Sequence, residues 1–277
     1  MSIAQSPQTL LLGVDLEDVR LQVPNGERYT DRVPAMTREY LALFRRFGAT
    51  TTFFTVGEVA RRHPALLREI ADSGHEIACH TNTHSTIDRL TPASLREDLQ
   101  RAHEAFEDAG VPRPVGFRAP TLSLTEKTSW AYEVLGEMGY EYSSSVLPAH
   151  NPLFGWAAFG KRPRRQSSVV ELPVSVLPRV GLPFAAGTYL RALPTPLIVL
   201  AARLHARHLG PVVGYVHPYD IDLEQERFMH PGINDSRFYN WLMYHNRDTV
   251  LVKLEALLNA GFEMKKYSTF VRSDLCL

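Results

Sequence analysis

Two histidines, His80 and His84, stand four residues apart in "EIACHTNTHSTIDRL" with only threonine and asparagine between them, directly after a run that reads as a buried strand. Three carboxylates, Asp15, Glu17 and Asp18, follow the apolar run 10–14 in "GVDLEDV". An arginine, Arg118, sits in "GFRAPTLS", and a further histidine, His217, in "GYVHPYD". Two neutral imidazoles and a carboxylate are the ligand set of a catalytic zinc or similar divalent ion with an open coordination position. That position holds a water whose pKa is lowered towards neutrality, or a substrate carbonyl oxygen. No glutamate directly follows the first histidine, so the pair is not the helix motif of zinc proteases. Each residue also has an ordinary reading. One carboxylate can cap the next element while the others are solvated. Arg118 can form a surface ion pair, and the histidines can be hydrogen-bonded structural groups.

The elements around these residues decide whether they can meet. "TLLLGVD", "TTTFFTV", "HEIACH", "PVGFRAP", "YSSSVLP", "VVELPVSV" and "PVVGYVHP" are rich in Val, Ile, Phe and Thr and bounded by Gly, Pro or Asp, which predicts strands. Helices are predicted between them. The clearest covers 91–109: Thr91 as N-cap, Pro92 in the first turn, an apolar stripe of Leu95, Leu99, Ala102 and Phe106, and Gly110 as the stop. Positions 64–73 and 125–138 end the same way at Gly74 and Gly139. Repeated β-then-α units predict a parallel sheet covered by helices, as a barrel or a doubly wound layer. Such folds put their chemistry at the C-terminal ends of strands, where Asp15, His80, Arg118 and His217 all fall. If the 80–84 loop curls into a helical turn, the two imidazoles can face one ion. Positions 148–196, rich in Pro and Gly, read as a loop-rich insertion into a single domain spanning 1–277.

Bulk composition narrows the function classes. A chain of 277 residues, 44% hydrophobic and 22% charged, can bury a sizeable core. Thirty basic and thirty acidic residues cancel, so nothing marks a general nucleic-acid binder. The two cysteines, Cys79 and Cys276, are too few for a disulfide framework and fit a reducing compartment. The N-terminus lacks the basic leader and cleavage pattern of a signal peptide. The apolar window 195–210 is interrupted by Arg203, His205, Arg207 and His208 and is too short to span a bilayer. A soluble cytoplasmic protein with no transmembrane segment is therefore expected.

The ordered set "VDLED", "HTNTH", "FRAP" and "YVHP" resembles the successive motifs of the polysaccharide deacetylases, carbohydrate esterase family 4 with its NodB-homology domain, over roughly residues 10–220. "YSSSVLP", "ELPVS", "GTYLRALP", "HPYDID" and "NRDTVLVKLEALL" extend the likeness to the branch found in bacterial exopolysaccharide clusters. The resemblance implies a distorted (β/α) barrel and a metal-dependent hydrolase that removes an N-acetyl or related acyl group from an amino sugar in a glycan or glycan precursor. It implies zinc, with cobalt, nickel or iron as alternatives. It also implies residue roles. Asp15 matches the general base, Arg118 the arginine that holds it, and His217 the general acid that protonates the leaving amine. His80 and His84 match the metal-binding histidines. The family's common form has two adjacent aspartates in its first motif; here Leu16 and Glu17 separate Asp15 from Asp18, so the third ligand is either Asp18 or Glu17.

Glu171 and Tyr215 are each candidates for the pocket wall or for packing. The runner-up activity is a small-molecule amidase or deformylase of the same fold. An Fe(II) oxygenase would use the same donors, but usually on an all-β scaffold. A metal-free binding protein would be favoured by a missing motif residue, and all five motif positions are filled.

Overall fold

The computed structural model describes residues 8–151, 153–177 and 181–275. Cys276 lies outside them. In chain order the strands are β1 (Gln8–Leu16), β2 (Thr52–Thr55), β3 (Glu76–Cys79), β4 (Gly116–Phe117), β5 (Tyr142–Ser143), β6 (Arg164–Gln166), β7 (Val169–Glu171), β8 (Val212–Val216) and β9 (Phe262–Met264). The helices are α1 (Val33–Arg46), α2 (Gly57–Arg62), α3 (Pro64–Asp72), α4 (Pro92–Asp108), α5 (Ala131–Glu137), α6 (Gly187–Ala192), α7 (Thr195–His208), α8 (Arg237–Tyr244), α9 (Val250–Asn259) and α10 (Tyr267–Thr269).

β1 is central because its residues are apolar on both faces. Leu10, Leu12, Val14 and Leu16 belong to the layer packed under the helices, whereas Leu11 packs inside with Phe54, Ala78, Tyr142, Val213 and Tyr267. A strand buried on both sides needs a continuous apolar run, as "LLLGV" provides. The sheet order is β6-β7-β5-β4-β3-β2-β1-β8, with β9 also on β1, and every pairing is parallel except β6 with β7. Ser175 brings the far end round: its N–H donates to Val213 O (2.9 Å), and Val213 N–H donates to Ser175 Oγ (2.8 Å). A side chain thus replaces a ladder bond where β7's continuation meets β8. The result is a distorted, mostly parallel α/β barrel.

Several predicted elements differ in extent. α4 starts as its sequence dictates, with Thr91 and Ser94 forming a reciprocal cap. The single helix expected over 125–138 is instead a 3-10 turn, Glu126–Thr128, followed by α5. The strand expected from "YSSSVLP" forms a ladder only at Tyr142–Ser143, with an isolated antiparallel bridge from Val146 to Ser123. Beyond it, Ser145 N and Val146 N donate to the buried carboxylate of Glu171 (2.7 and 2.9 Å) instead of to a neighbouring strand. Glu171, 0% exposed and also bonded by Tyr132 Oη, is a brace for this turn and not a pocket wall. Burial pushes its carboxyl up, against the pull of those donors. The 148–196 stretch is loop-rich but contributes to the sheet, since β7 pairs with β5 through Ser143 and Glu171. No helix among the described residues is long and apolar enough to cross a membrane.

Candidate active site

Strand parity delivers the first carboxylate. Asp15 follows the parity of Leu11 on the inward side of β1, Leu16 packs outward, and Glu17 comes just past the strand's end, where its N–H turns back onto Asp15 O (3.1 Å). Asp18 points elsewhere: its carboxylate accepts from Arg20 N–H, Nε and Nη2 (3.1, 3.0 and 2.7 Å) and caps the following turn.

The histidine pair is carried by a loop, not by the helical turn anticipated from its spacing. Thr81 and His84 both adopt left-handed backbone (φ 61° and 58°), which is costly, above all for β-branched threonine. The surroundings enforce it. His80 N–H bonds Thr55 O (2.9 Å) in continuation of the sheet, and Asn82 N–H bonds Asp98 Oδ2 on α4 (2.6 Å). The carbonyls of Thr81 and Asn82 accept from Gly57 and Glu58 N–H at the start of α2 (3.0 Å each). The two rings end 5.0 Å apart between centroids.

Glu17, His80 and His84 offer ligand atoms that all lie within 4.8 Å of one another. Their chemistry fits a divalent cation. Glu17 Oε2 is buried, receives no hydrogen bond, and abuts His84 Nε2. His80 Nδ1 sits 2.8 Å from Arg118 O, so it carries the proton and Nε2 keeps its lone pair. Burial, chiefly, lowers the His80 pKa to about 4, so the ring is neutral at neutral pH. Burial alone would raise the Glu17 carboxyl, but the neighbouring His84, then His217 and His80, hold it well below the usual carboxylate range.

Arg118 lies wholly buried beside this cluster. Nη1 donates to Asp15 Oδ1 (2.6 Å), Nη2 to Ser144 Oγ and Tyr267 Oη (2.9 Å each), and Nε to Ser144 O (2.9 Å). Its guanidinium stacks 3.9 Å from the Phe54 ring centre. Burial opposes its charge, but Asp15 and then Tyr267 outweigh that, and its pKa is raised. A Cβ on Gly13 would lie 2.3 Å from Arg118 Nη1, so glycine is what lets the guanidinium cross β1.

On the other flank, His217 Nε2 is 3.8 Å from Glu17 Oε1 and 4.0 Å from Asp15 Oδ2. Its Nδ1 is bound by Asp220 Oδ2 (2.8 Å), which also takes the His217 backbone N–H (2.9 Å). Asp220 in turn meets Arg191 Nε at 3.1 Å, both residues being 1% exposed. Burial disfavours the His217 cation, but Asp220, then Glu17 and Asp15, raise its pKa. Burial likewise opposes the Asp220 carboxylate, yet Arg191 and then His217 lower it to about 2. Tyr215 stands edge-on to His217 with centroids 5.4 Å apart, so it does line the site.

Asp15, Glu17, His80, His84, Arg118 and His217 thus converge at one end of the barrel, and Asp18 leaves the group. Asp220, Arg191, Tyr267 and Asp98 were not singled out from the sequence. For Asp220 the His-Pro-x-Asp spacing was a usable signal, because position i+3 after a capping residue folds back on it. For the others the link is purely tertiary.

Comparison with known proteins agrees with the geometry. Residues 26–143 match the family model described as Polysaccharide deacetylase, and residues 144–272 one described as Domain of unknown function (DUF3473). The peptidoglycan-N-acetylglucosamine deacetylase of Bacillus cereus is 30% identical over 141 residues, 48% of this chain and 64% of that protein. The chitooligosaccharide deacetylase of a Bradyrhizobium strain is 32% identical over 76 residues, 27% of this chain and 35% of that protein. The chain thus spans about a third to two thirds of the length of these relatives. A Mycobacterium smegmatis crystal structure described as a polysaccharide deacetylase superposes with TM-score 0.59 at 21% identity, over 98% of this chain and 92% of that one. The family 4 carbohydrate esterase of Streptomyces lividans gives 0.50 at 19%, over 93% and 91%. At these identities the structures bear on the fold alone.

Proposed function

We propose that the chain, whose residues 26–143 match the polysaccharide deacetylase family, is a member of carbohydrate esterase family 4 that hydrolyses the N-acetyl group of an amino sugar in a glycan or glycan precursor. The observation that carries this reading is the meeting, at one barrel mouth, of a two-histidine, one-carboxylate cluster with an arginine-held carboxylate on one flank and an aspartate-held histidine on the other. Glu17, His80 and His84 would hold the ion, with Glu17 preferred over Asp18 because Asp18 is engaged by Arg20. A divalent cation held there, zinc for this donor set, would supply Lewis acidity to a water and to the amide carbonyl oxygen.

The chain's own residues do the rest. Arg118 occupies Asp15 Oδ1, which leaves Oδ2 free to accept the proton of the attacking water. His217, its Nδ1–H donating to Asp220, presents Nε2–H towards Asp15 and Glu17 and can pass that proton to the departing nitrogen. Amines leave poorly without a proton; burial opposes the protonated His217 ring, but Asp220, then Glu17 and Asp15, favour it.

We treat the described residues as parts of one catalytic unit. β1 pairs with β2 and β8, strands that lie in the two differently matched segments. The substrate is read as a cytoplasmic precursor of an exopolysaccharide, which cell fractionation and glycan analysis of a deletion strain would check. The direct test is to incubate zinc-reconstituted protein with N-acetylated amino sugars, their oligomers, and small formamides and amides, and to identify the acid released. Acetate from the amino sugars is expected. Formate alone, or turnover of small amides alone, would replace this reading with the amidase one.

A further inference from the structure

The charges of this chain balance overall but not along its length. Residues 142–219 hold eight Lys and Arg and a single acid, the buried Glu171. Two stretches carry most of that excess: "KRPRR" at 161–165, which runs into β6, and α7 with Arg203 and Arg207. Arg162 Nη2 donates to His208 O at the C-terminal end of α7 (2.8 Å), which joins the two into one patch. Among the described residues, Arg162, Arg164, Arg165, Arg203 and Arg207 form no ion pair with a carboxylate.

The same helix gives the patch an apolar centre. Ile198, Ala201, Ala202 and His205 are the buried residues of α7. On its outer side Leu197, Leu200 and Leu204, spaced i, i+3 and i+7, form a row that is 52%, 54% and 44% exposed. Arg203 and Arg207 stand three positions after Leu200 and Leu204 and are themselves exposed, so each borders the row. Leucines in a contiguous row facing water cost free energy unless something covers them.

We propose that this face docks on a bilayer of anionic phospholipid, with the leucine row entering the headgroup boundary and the surrounding arginines resting on lipid phosphates. Charge complementarity selects the occupant, since a cationic rim suits phosphates and an apolar centre suits the acyl boundary beneath them. A second copy fits poorly, because a two-fold interface would press the basic patch against itself. A nucleic acid would satisfy the arginines and leave the leucines in water. Three leucines and a few charges hold a protein at a membrane reversibly, not as an anchor. The inference is separate from the deacetylase reading and does not depend on it.

The test co-sediments the full chain with sucrose-loaded vesicles of phosphatidylcholine, with and without phosphatidylglycerol. The anionic vesicles should bind it at least about tenfold more tightly, and added salt should weaken that binding. Arg203→Ser combined with Arg207→Ser should cost about tenfold in affinity for them. Leu200→Ser combined with Leu204→Ser should cost about five- to tenfold. All four side chains are exposed, so urea midpoints should stay at the wild-type value and the losses belong to binding. Equal binding to both vesicle types, or wild-type binding by either double variant, overturns the docking face. So does duplex DNA that binds the chain as tightly as the anionic vesicles do and is indifferent to the leucine changes, since the patch is then a general polyanion site. A dimer that the leucine changes dissolve overturns it too, by making a second copy the occupant.

Discussion

Glu17 and Asp18 differ by one position just past the end of β1, yet Glu17 faces His80 and His84 whereas Asp18 is engaged by Arg20. Replacing Glu17 by Ala should therefore strip most of the metal, measured by elemental analysis after zinc reconstitution. Asp18→Ala should keep the metal and cost about 1 kcal/mol by losing the cap on the following turn. Equal metal loss in both would return the third ligand to the open question the sequence poses. His217→Ala should slow amide hydrolysis by about 10²–10⁴-fold. An ester analogue, whose alkoxide leaves with less need of a proton, should lose much less. Because Asp220 raises the His217 pKa, and activity falls as pH rises through that pKa, the alkaline limb of kcat/KM should lie above the ordinary imidazole range. Neutralising the aspartate with Asp220→Asn removes part of that support, so the limb should move to lower pH. An unmoved limb would assign it to another group.

At the scale of elements, the site depends on two backbone features that no side-chain motif reports. One is Gly13, where β1 gives way to the Arg118 guanidinium. Gly13→Ala would put a methyl 2.3 Å from Nη1, so the arginine or the strand must shift. The expected cost is about 1–3 kcal/mol in urea unfolding, with a fall in kcat because Asp15 loses its partner's position. A variant with wild-type stability and rate would show that Arg118 can move without consequence. The other feature is the 80–84 loop, whose left-handed Thr81 and His84 are held by contacts from β2, α2 and α4. Spacing alone suggested a helical turn, since four residues is the helical repeat. The loop reaches a similar ring separation by spending strain that the packed neighbours hold in place.

For the molecule as a whole, the core does not pass through the proposed ion. The outer layer from Leu10 to Met264 and the inner set around Phe54 are apolar and contiguous without it. Chelation should abolish turnover while the far-UV circular dichroism stays native, and readdition of zinc should restore activity. Since the ion would bind the folded chain only, a saturating excess should add roughly 2.7 kcal/mol at a hundredfold over Kd, read as a higher Tm. Loss of folded structure on chelation would make the ion structural, and turnover that survives it would remove the ion from the mechanism.

Much of this arrangement was legible in the residue order. Apolar runs closed by Gly, Pro or Asp marked the strands, and the repeated β-then-α rhythm marked a parallel sheet, because such patterns depend only on local geometry and on which faces must be buried. The same logic put Asp15, His80, Arg118 and His217 at strand ends, but it left Glu17 and Asp18 as alternatives, because both follow the end of β1. The tertiary structure alone decided which partners those residues take. Asp15 meets Arg118 across 103 positions, Tyr267 reaches Arg118 across 149, and Arg191 finds Asp220 from a different helix. Such contacts are set by how the barrel closes and how its walls pack, through side chains as unremarkable in sequence as Ser144 and Ser175. A chain records its local preferences position by position, but the distance between two positions far apart in it exists only once every element between them has packed.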